Sequence, residues 1–334
     1  MATSALAFSP KEFTCWIISD ATNAGTSGIH SGNMYQLDVD SISMPSLNPT
    51  QVLNVRSGAG RTLKDEDVFQ DNVLRVSEFS LSGTLHNDTG HKLLLQNICN
   101  DVSGDVSVSS NFTAASQNMA GATAVTNSAS SLTFVFQPSD VTNQQGMEFF
   151  GCLVTNFSIS ADMTTEGGRY KWSATIQTGK KPDLASTATP TITAYANTNI
   201  PLMSNASDIR ISDVSNMVMN SFTATVDSPA VFTGVTTSGY EIASRGAEIA
   251  VNVDAQVKYD SNTKGFISEF DTQTTANTAG NMFKMVNNNA YGILITSGLF
   301  TNVALSEGDI MMLDCSIKSV DDGSSDLITF DLSA

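Results

Sequence analysis

Charge is scarce in this chain. Only 15% of its 334 residues are Asp, Glu, Lys or Arg, well under the usual quarter. Ser, Thr, Asn and Ala fill the deficit. That bias favours β-structure with neutral polar faces and argues against a helical enzyme. Positive charge is scarcest of all, with 16 Lys and Arg against 33 Asp and Glu, a net charge of −17. The imbalance runs through the whole chain: −7 over residues 1–190 (10 − 17) and −10 over the remainder (6 − 16). Neither part is a basic nucleic-acid reader. An acidic surface repels phosphate and anionic membrane, and it also serves simple solubility.

Histidine is nearly absent, which leaves a nucleophilic triad without a base. The three are His30, in a Gly/Ser turn, and His86 and His91, which flank a turn. Five residues apart, the last two do not share a helix face. The four cysteines, Cys15, Cys99, Cys152 and Cys315, form no CxxC pair. Scattered this way they read as small buried hydrophobes in a reducing compartment, with only Cys315 on an apolar strand face. No apolar run approaches the roughly 20 residues of a membrane span. The opening MATSALAFSPKEF has no basic region followed by an apolar core, so no Sec signal is expected. Gly58-Ala59-Gly60 starts like a phosphate-binding loop, but Leu63 stands where a third glycine belongs and carboxylates follow. Asp38 and Asp40 alternate as on a solvated strand face rather than as cation ligands. The N-x-S/T triplets at Asn87, Asn111, Asn156 and Asn205 follow from composition. No catalytic residue, metal ligand or cofactor is expected.

What the chain does have is a repeat. Residues Phe79 to Ile98 read FSLSGTLHNDTGHKLLLQNI, and Val251 to Phe270 read VNVDAQVKYDSNTKGFISEF. At an offset of 172 (251 − 79), Phe79, Leu81, Gly83 and Leu85 fall on Val251, Val253, Ala255 and Val257. Asp88 falls on Asp260. Each segment is a period-2 strand, a polar turn and an apolar run at helical spacing. Downstream, Val154–Ser160 matches Phe300–Ser306 at 146. Tyr170, Trp172, Ala174 and Ile176 match Met311, Leu313, Cys315 and Ile317 at 141. Three blocks recurring in one order point to two copies of one domain. The first carries 26 extra residues (172 − 146) in the loop after its helix and five more (146 − 141) in a hairpin tip. Loops absorb such insertions at low cost.

The copies are expected over residues 1–190 and 209–334, with 191–208 as linker, where Thr191–Tyr195 could add a short strand. Each should be an antiparallel sandwich or barrel with one short helix. The first helix, Gly90–Asn100, is capped by Asp88 or Thr89. The second, around Lys264–Phe270, is capped by Ser261 or Asn262. Residues Ser103–Ser131 form a polar surface loop. Long Gly- and charge-rich loops recur at Val52–Asp71 and Ser228–Ala247, which marks them as contact loops. Their candidate inter-subunit residues are Arg56, Arg61, Lys64, Asp65, Glu66, Asp67, Tyr240 and Arg245. Trp16 and Trp172 sit in strand patterns that look buried.

Several of these segments resemble the tail tube proteins of long-tailed, siphovirus-type bacteriophages. They are Gly60-Arg61-Thr62-Leu63 with the acidic cluster after it, Val76–Leu85 running into a capped helix, and the strands Glu148–Ser160 and Arg169–Thr178. The likeness spans most of residues 35–180 and, more weakly, 209–332. It implies an all-β fold of two tandem tail-tube-like sandwich or barrel domains. It further implies a structural virion protein, not an enzyme, whose rings stack into the conduit for DNA ejection. Partners by resemblance are further copies of the chain, a tape measure protein and a tail terminator, with double-stranded DNA passing unbound and no membrane. Most members form hexameric rings of one domain per subunit. A duplicated chain would instead close as a homotrimer, with Glu78 and Asp254 as candidate lumen-facing residues. The alternatives are a decoration or fibre protein of the virion, or a carbohydrate-binding module.

Overall fold

The chain is all-β, and among the described residues two short α-helices interrupt its strands. The computed structural model describes residues 11, 13–19, 33–44, 50–53, 68–71, 77–99, 111–112, 131–138, 146–180, 182–186, 191–195, 200–233, 242–245, 249–278, 280–287, 292–323 and 327–331. Strand formation follows the alternation in the sequence. In β6 (Ser77–Thr84), Phe79 and Leu81 are buried while Glu78 is exposed and Ser80 and Ser82 are half-buried. In β17 (Ala250–Lys258), Val251, Val253 and Val257 are buried and Asp254 and Lys258 are exposed. One face seals a core and the other meets solvent.

These strands belong to one antiparallel run. It begins with β3 (Ser41–Ser43), β6, β10 (Lys171–Thr178) and the second part of β9 (Gly146–Asp162). It continues with β14 (Met219–Asp227), β17, β21 (Met312–Ser319) and β20 (Gly298–Ser306). The first four strands come from the first sequence repeat and its flanks, the last four from the second. The β9–β14 pairing runs from Asn156 opposite Asp227 to Asp162 opposite Ser221.

Two smaller layers cover the inner face of this run. The first part of β9 turns out of it. There it joins β8 (Leu132–Pro138), β1 (Phe13–Ser19), β2 (Asn33–Leu37), β11 (Asp183–Ser186) and the parallel β12 (Thr191–Thr193). Gly151 (φ 62°) sits at this change of sheet, in a backbone region open to glycine. Phe79 meets Phe134 and Phe149 across the gap, with ring centroids 5.3 and 5.1 Å apart. The second layer is β13 (Ala206–Ile211), β18 (Phe283–Asn287), β19 (Gly292–Ile295), β22 (Thr329–Asp331) and β7 (Asn111–Phe112). Phe222 reaches Phe283 at 5.9 Å. β7 lies in the tract read as a polar surface loop, and pairs with β22 near the other end of the chain. The rest of Ser103–Ser131, apart from Ser131, lies outside the described residues. The buried side chains of both halves form one continuous core.

The helices lie where the repeat places them, at α1 (Thr89–Cys99) and α2 (Gly265–Thr272). Asp88 caps α1, its Oδ1 accepting from the His91 N–H at 3.0 Å. The expected caps Ser261 and Asn262 do not act at α2. Asp260, the repeat counterpart of Asp88, accepts from the N–H groups of Asn262 (2.8 Å) and Thr263 (3.3 Å) instead. All four cysteines are free and buried. Cys15, unlike its sequence reading, also lies on the apolar face of a strand, beside Ile17 in β1. Trp172 is buried, but Trp16 alternates out of phase with Cys15 and Ile17 and is only half-buried.

Candidate functional site: a continuous polar sheet face and its open edges

The outer face of the eight-strand run is a continuous polar surface. Its rows cross both repeats. One reads Ser82, Ser173, Ser158, Thr225, Asn252, Lys318. The next reads Thr84, Lys171, Ser160, Thr223, Asp254, Ser316, Asn302. Glu78 and Asp254, singled out from sequence, both lie on this face and are both exposed.

The face holds five carboxylates, Glu78, Asp162, Asp227, Asp254 and Asp314, against three lysines, Lys171, Lys258 and Lys318. Each carboxylate accepts from a neutral donor. Gln177 donates to Glu78 at 2.7 Å, Ser316 to Asp254 at 2.6 Å, and Gln256 to Asp314 at 2.8 Å. Asn156 donates to Asp227, and the Thr164 N–H and hydroxyl donate to Asp162. Amide and hydroxyl partners fix these side chains without cancelling their charge. Lys171, by contrast, is held by Asp40 and Glu166, each at 3.1 Å. Those hydrogen bonds outweigh partial burial and raise its pKa. The face therefore offers phosphate few uncompensated cations.

Asp40 and Asp38 lie in the crossover between β2 and β3, not on a strand as the alternation suggested. Asp38 pairs with His86 at 2.8 Å. Nearby, His91 Nδ1 meets Asp88 Oδ1 at 2.8 Å. Both imidazoles are buried, their centroids 5.6 Å apart, and His91 stacks edge-on against Trp172. Burial pushes the Asp88 pKa up, but the His91 hydrogen bond and charge prevail and hold it below the usual carboxylate value. In the second repeat Lys258 and Thr263 occupy the histidine positions, and the Thr263 hydroxyl donates to the Lys258 carbonyl. The sequence signal for this cluster was present in the Asp88–His91 spacing, but nothing marked Asp38 as the partner of His86. Among the described residues no group of three or more His, Cys, Asp and Glu side chains is placed to hold a metal.

The loops expected to make contacts have hairpin bases in both halves: β4 (Thr50–Leu53) with β5 (Val68–Asp71), and β15 (Ala230–Thr233) with β16 (Ile242–Arg245). Arg56, Arg61, Lys64, Asp65, Glu66, Asp67 and Tyr240 lie outside the described residues. Arg245 is described and is buried. Its Nη1 donates to the Ser228 carbonyl (2.7 Å) and hydroxyl (2.9 Å), and its Nη2 to the Asn97 carbonyl (2.8 Å) and Oδ1 (2.9 Å). Burial lowers its pKa to about 10. The guanidinium thus ties the β16 hairpin of the second repeat to helix α1 of the first.

The run ends in two edge strands. Among the described residues β3 pairs only with β6. On β20, Gly298 bridges Asn277 and the Phe300 N–H goes to the Gln273 side chain. From Thr301 to Ser306 its outer edge meets no strand among the described residues. Trp172, buried with its Nε1 donating to the Thr84 carbonyl at 3.1 Å, offers no platform for a sugar. Among the described residues no helix is long and apolar enough to cross a membrane. Compared with known protein families and with curated proteins, the chain matches none.

Proposed function

We propose that this chain is the tube subunit of a long phage tail, a structural virion protein whose copies close into rings that stack into a conduit for DNA. The observation that carries this reading is the head-to-tail order of the eight-strand run. In the first four strands, the order is β3, β6, β10, β9; in the last four, β14, β17, β21, β20. By sequence repeat β6 answers to β17, β10 to β21 and β9 to β20. Two units of like build, over 1–190 and 209–334, thus sit side by side with the last strand of one paired to the first strand of the next. An interface of this head-to-tail type either closes into a ring or runs on as a filament.

The polar face supports the same reading. A wall of Ser, Thr, Asn and Gln with a small excess of fixed carboxylates repels a duplex weakly and holds it nowhere. Three copies of the chain per ring would supply six units. Self-association is the principal partnership, and the tape measure and terminator proteins enter only through the family likeness.

Negative-stain microscopy of the purified full-length chain tests this. Rings or stacked tubes are the expected result. A protein that stays monomeric at high concentration and under crowding, with no ring in any field, overturns it.

A further inference from the structure

The geometry points to a specific docking surface for a second copy of this chain: the outer edge of β20 pairs antiparallel with β3 of the next copy, with Leu305 opposite Ile42. The internal β9–β14 junction is the template, and the inference rests on the tube reading only in taking a second copy as the neighbour.

The template transfers through two registers. β3 and β14 hold the same place against their inner partners. Ile42 lies opposite Leu81, and Ala224 lies opposite Val253, the repeat counterpart of Leu81. Ile42 therefore answers to Ala224. β9 and β20 hold the same place against β10 and β21. Ile159 lies opposite Trp172, and Leu305 opposite Leu313, the counterpart of Trp172. Leu305 therefore answers to Ile159. Inside the chain Ile159 faces Ala224. Between chains Leu305 then faces Ile42, Ser306 faces Ser41 and Ala304 faces Ser43.

Local detail makes β9 and β20 alike at this edge. Each carries a one-residue irregularity, next to Thr155 in one and at Thr301 in the other. The two threonines are repeat counterparts, and their hydroxyls donate to the counterpart carbonyls of Thr175 and Ser316, both at 3.2 Å. The Val154 N–H is taken by Asn97 of α1, and the Phe300 N–H by Gln273 just beyond α2.

Exposure distinguishes the covered edge from the uncovered one. Ile159 is 0% exposed and Tyr170 0%, both beneath the second repeat. Their counterparts Leu305 and Met311 are 48% and 45% exposed, and Ile310 beside them 60%. Apolar side chains left open on an unpaired edge mark a strand that awaits a partner. Ile42, the proposed partner, is half-buried and points to the same face as the core. Within one copy the two strands stand at opposite ends of the run, six strands apart, and do not pair with each other.

Disulfide trapping reads the register directly. Leu305→Cys is combined in the full-length chain with Ile42→Cys, and separately with Asp40→Cys or Met44→Cys, which shift the register by two residues either way. Single variants control for the native buried thiols. Circular dichroism and the urea midpoint establish that each variant folds. Under mild oxidation the Ile42/Leu305 pair should give a ladder of covalent oligomers on non-reducing gels, at least about fivefold above either shifted pair, since disulfides demand close Cβ atoms. Rings that crosslink best through Asp40 or Met44 overturn the register and leave the tube reading standing. Rings that crosslink through none of the pairs overturn edge pairing itself, again without touching the tube reading. Folded variants that form neither rings nor crosslinks overturn both.

Discussion

Single residues hold the two repeats together at places a strand diagram does not show. Arg245 donates to two buried carbonyls and two side-chain oxygens drawn from opposite halves of the chain. Arg245→Ala leaves the acceptors of Ser228 and Asn97 without it at a buried site. Hydrogen bonds to a charged donor contribute about 1.5–3 kcal/mol each, not additively, so a loss of about 3 kcal/mol is expected. Urea unfolding checks it: the midpoint should fall with little change in slope. Arg245→Lys should recover only part of the loss, because one ammonium cannot reach both sets of acceptors. A second residue with an outsized role is Gly83. A Cβ built there would lie 2.0 Å from the Asp38 carbonyl oxygen, a backbone atom with little room to yield. Its repeat counterpart is Ala255, buried at an ordinary pairing with Phe222. Gly83→Ala should therefore destabilise by about 1–3 kcal/mol or more. Ala255→Gly should cost only about 1 kcal/mol through lost packing and added backbone freedom. Thermal midpoints of the two variants give the comparison, and equal losses would contradict the asymmetry.

At the scale of elements, what was legible is what local patterning specifies. The alternation in Phe79–Leu85 and Val251–Val257 gave the strands and their dry faces, and the offset of 172 placed both helices. Asp88 was readable as a cap because its carboxylate stands directly before the apolar run. Asp260 was overlooked because Ser261 and Asn262, also cap-forming residues, stand closer to the helix. Pairing partners far apart in sequence left no such trace. Nothing in Phe157 or Val226 says that β9 and β14 join, since either strand's edge satisfies any backbone of the right twist. The same holds for β7 and β22, whose contact links residues 111–112 to 330–331. The His86–Asp38 pair was invisible for the same reason: the two residues are brought together by a crossover, not by spacing. The lumen-face candidates Glu78 and Asp254 were legible because strand alternation alone puts them on the polar side. Most of the proposed contact-loop residues fall outside the described residues, and Arg245, the exception, makes its contacts within the chain.

If copies of this chain close into the proposed ring, the build of the whole molecule sets how many it can hold. Each chain has eight strands in the polar run, so three chains in the proposed ring would give a wall of 24 (3 × 8). With strands about 4.8 Å apart and tilted about 40°, such a wall is about 48 Å across between backbones. Side chains reach inward by about 5 Å on each side, half the spacing of stacked sheets, which leaves a bore of about 38 Å. In the proposed tube a bore of that width would admit a DNA duplex, whose two grooves are about 8.5 and 7.5 Å deep. Two chains would leave about 22 Å, too little for the duplex and its water and counterions, and six would leave a channel several duplexes wide. Three chains carry −51 (3 × −17), yet the polar face holds only two net negative charges per chain, so in the proposed ring most of the charge would lie away from the bore. In the proposed tube the excess inside would disfavour adhesion yet be too small to bar entry at physiological salt, where fields decay over about 8 Å. Native mass spectrometry of isolated rings should then find about 106 kDa, three chains of 35.3 kDa. A map of the ring should show Glu78 and Asp254 toward the axis. Six chains per ring, or a bore lined mainly by Lys and Arg, would overturn the trimer, because neither agrees with an eight-strand contribution whose polar face is paved with neutral donors.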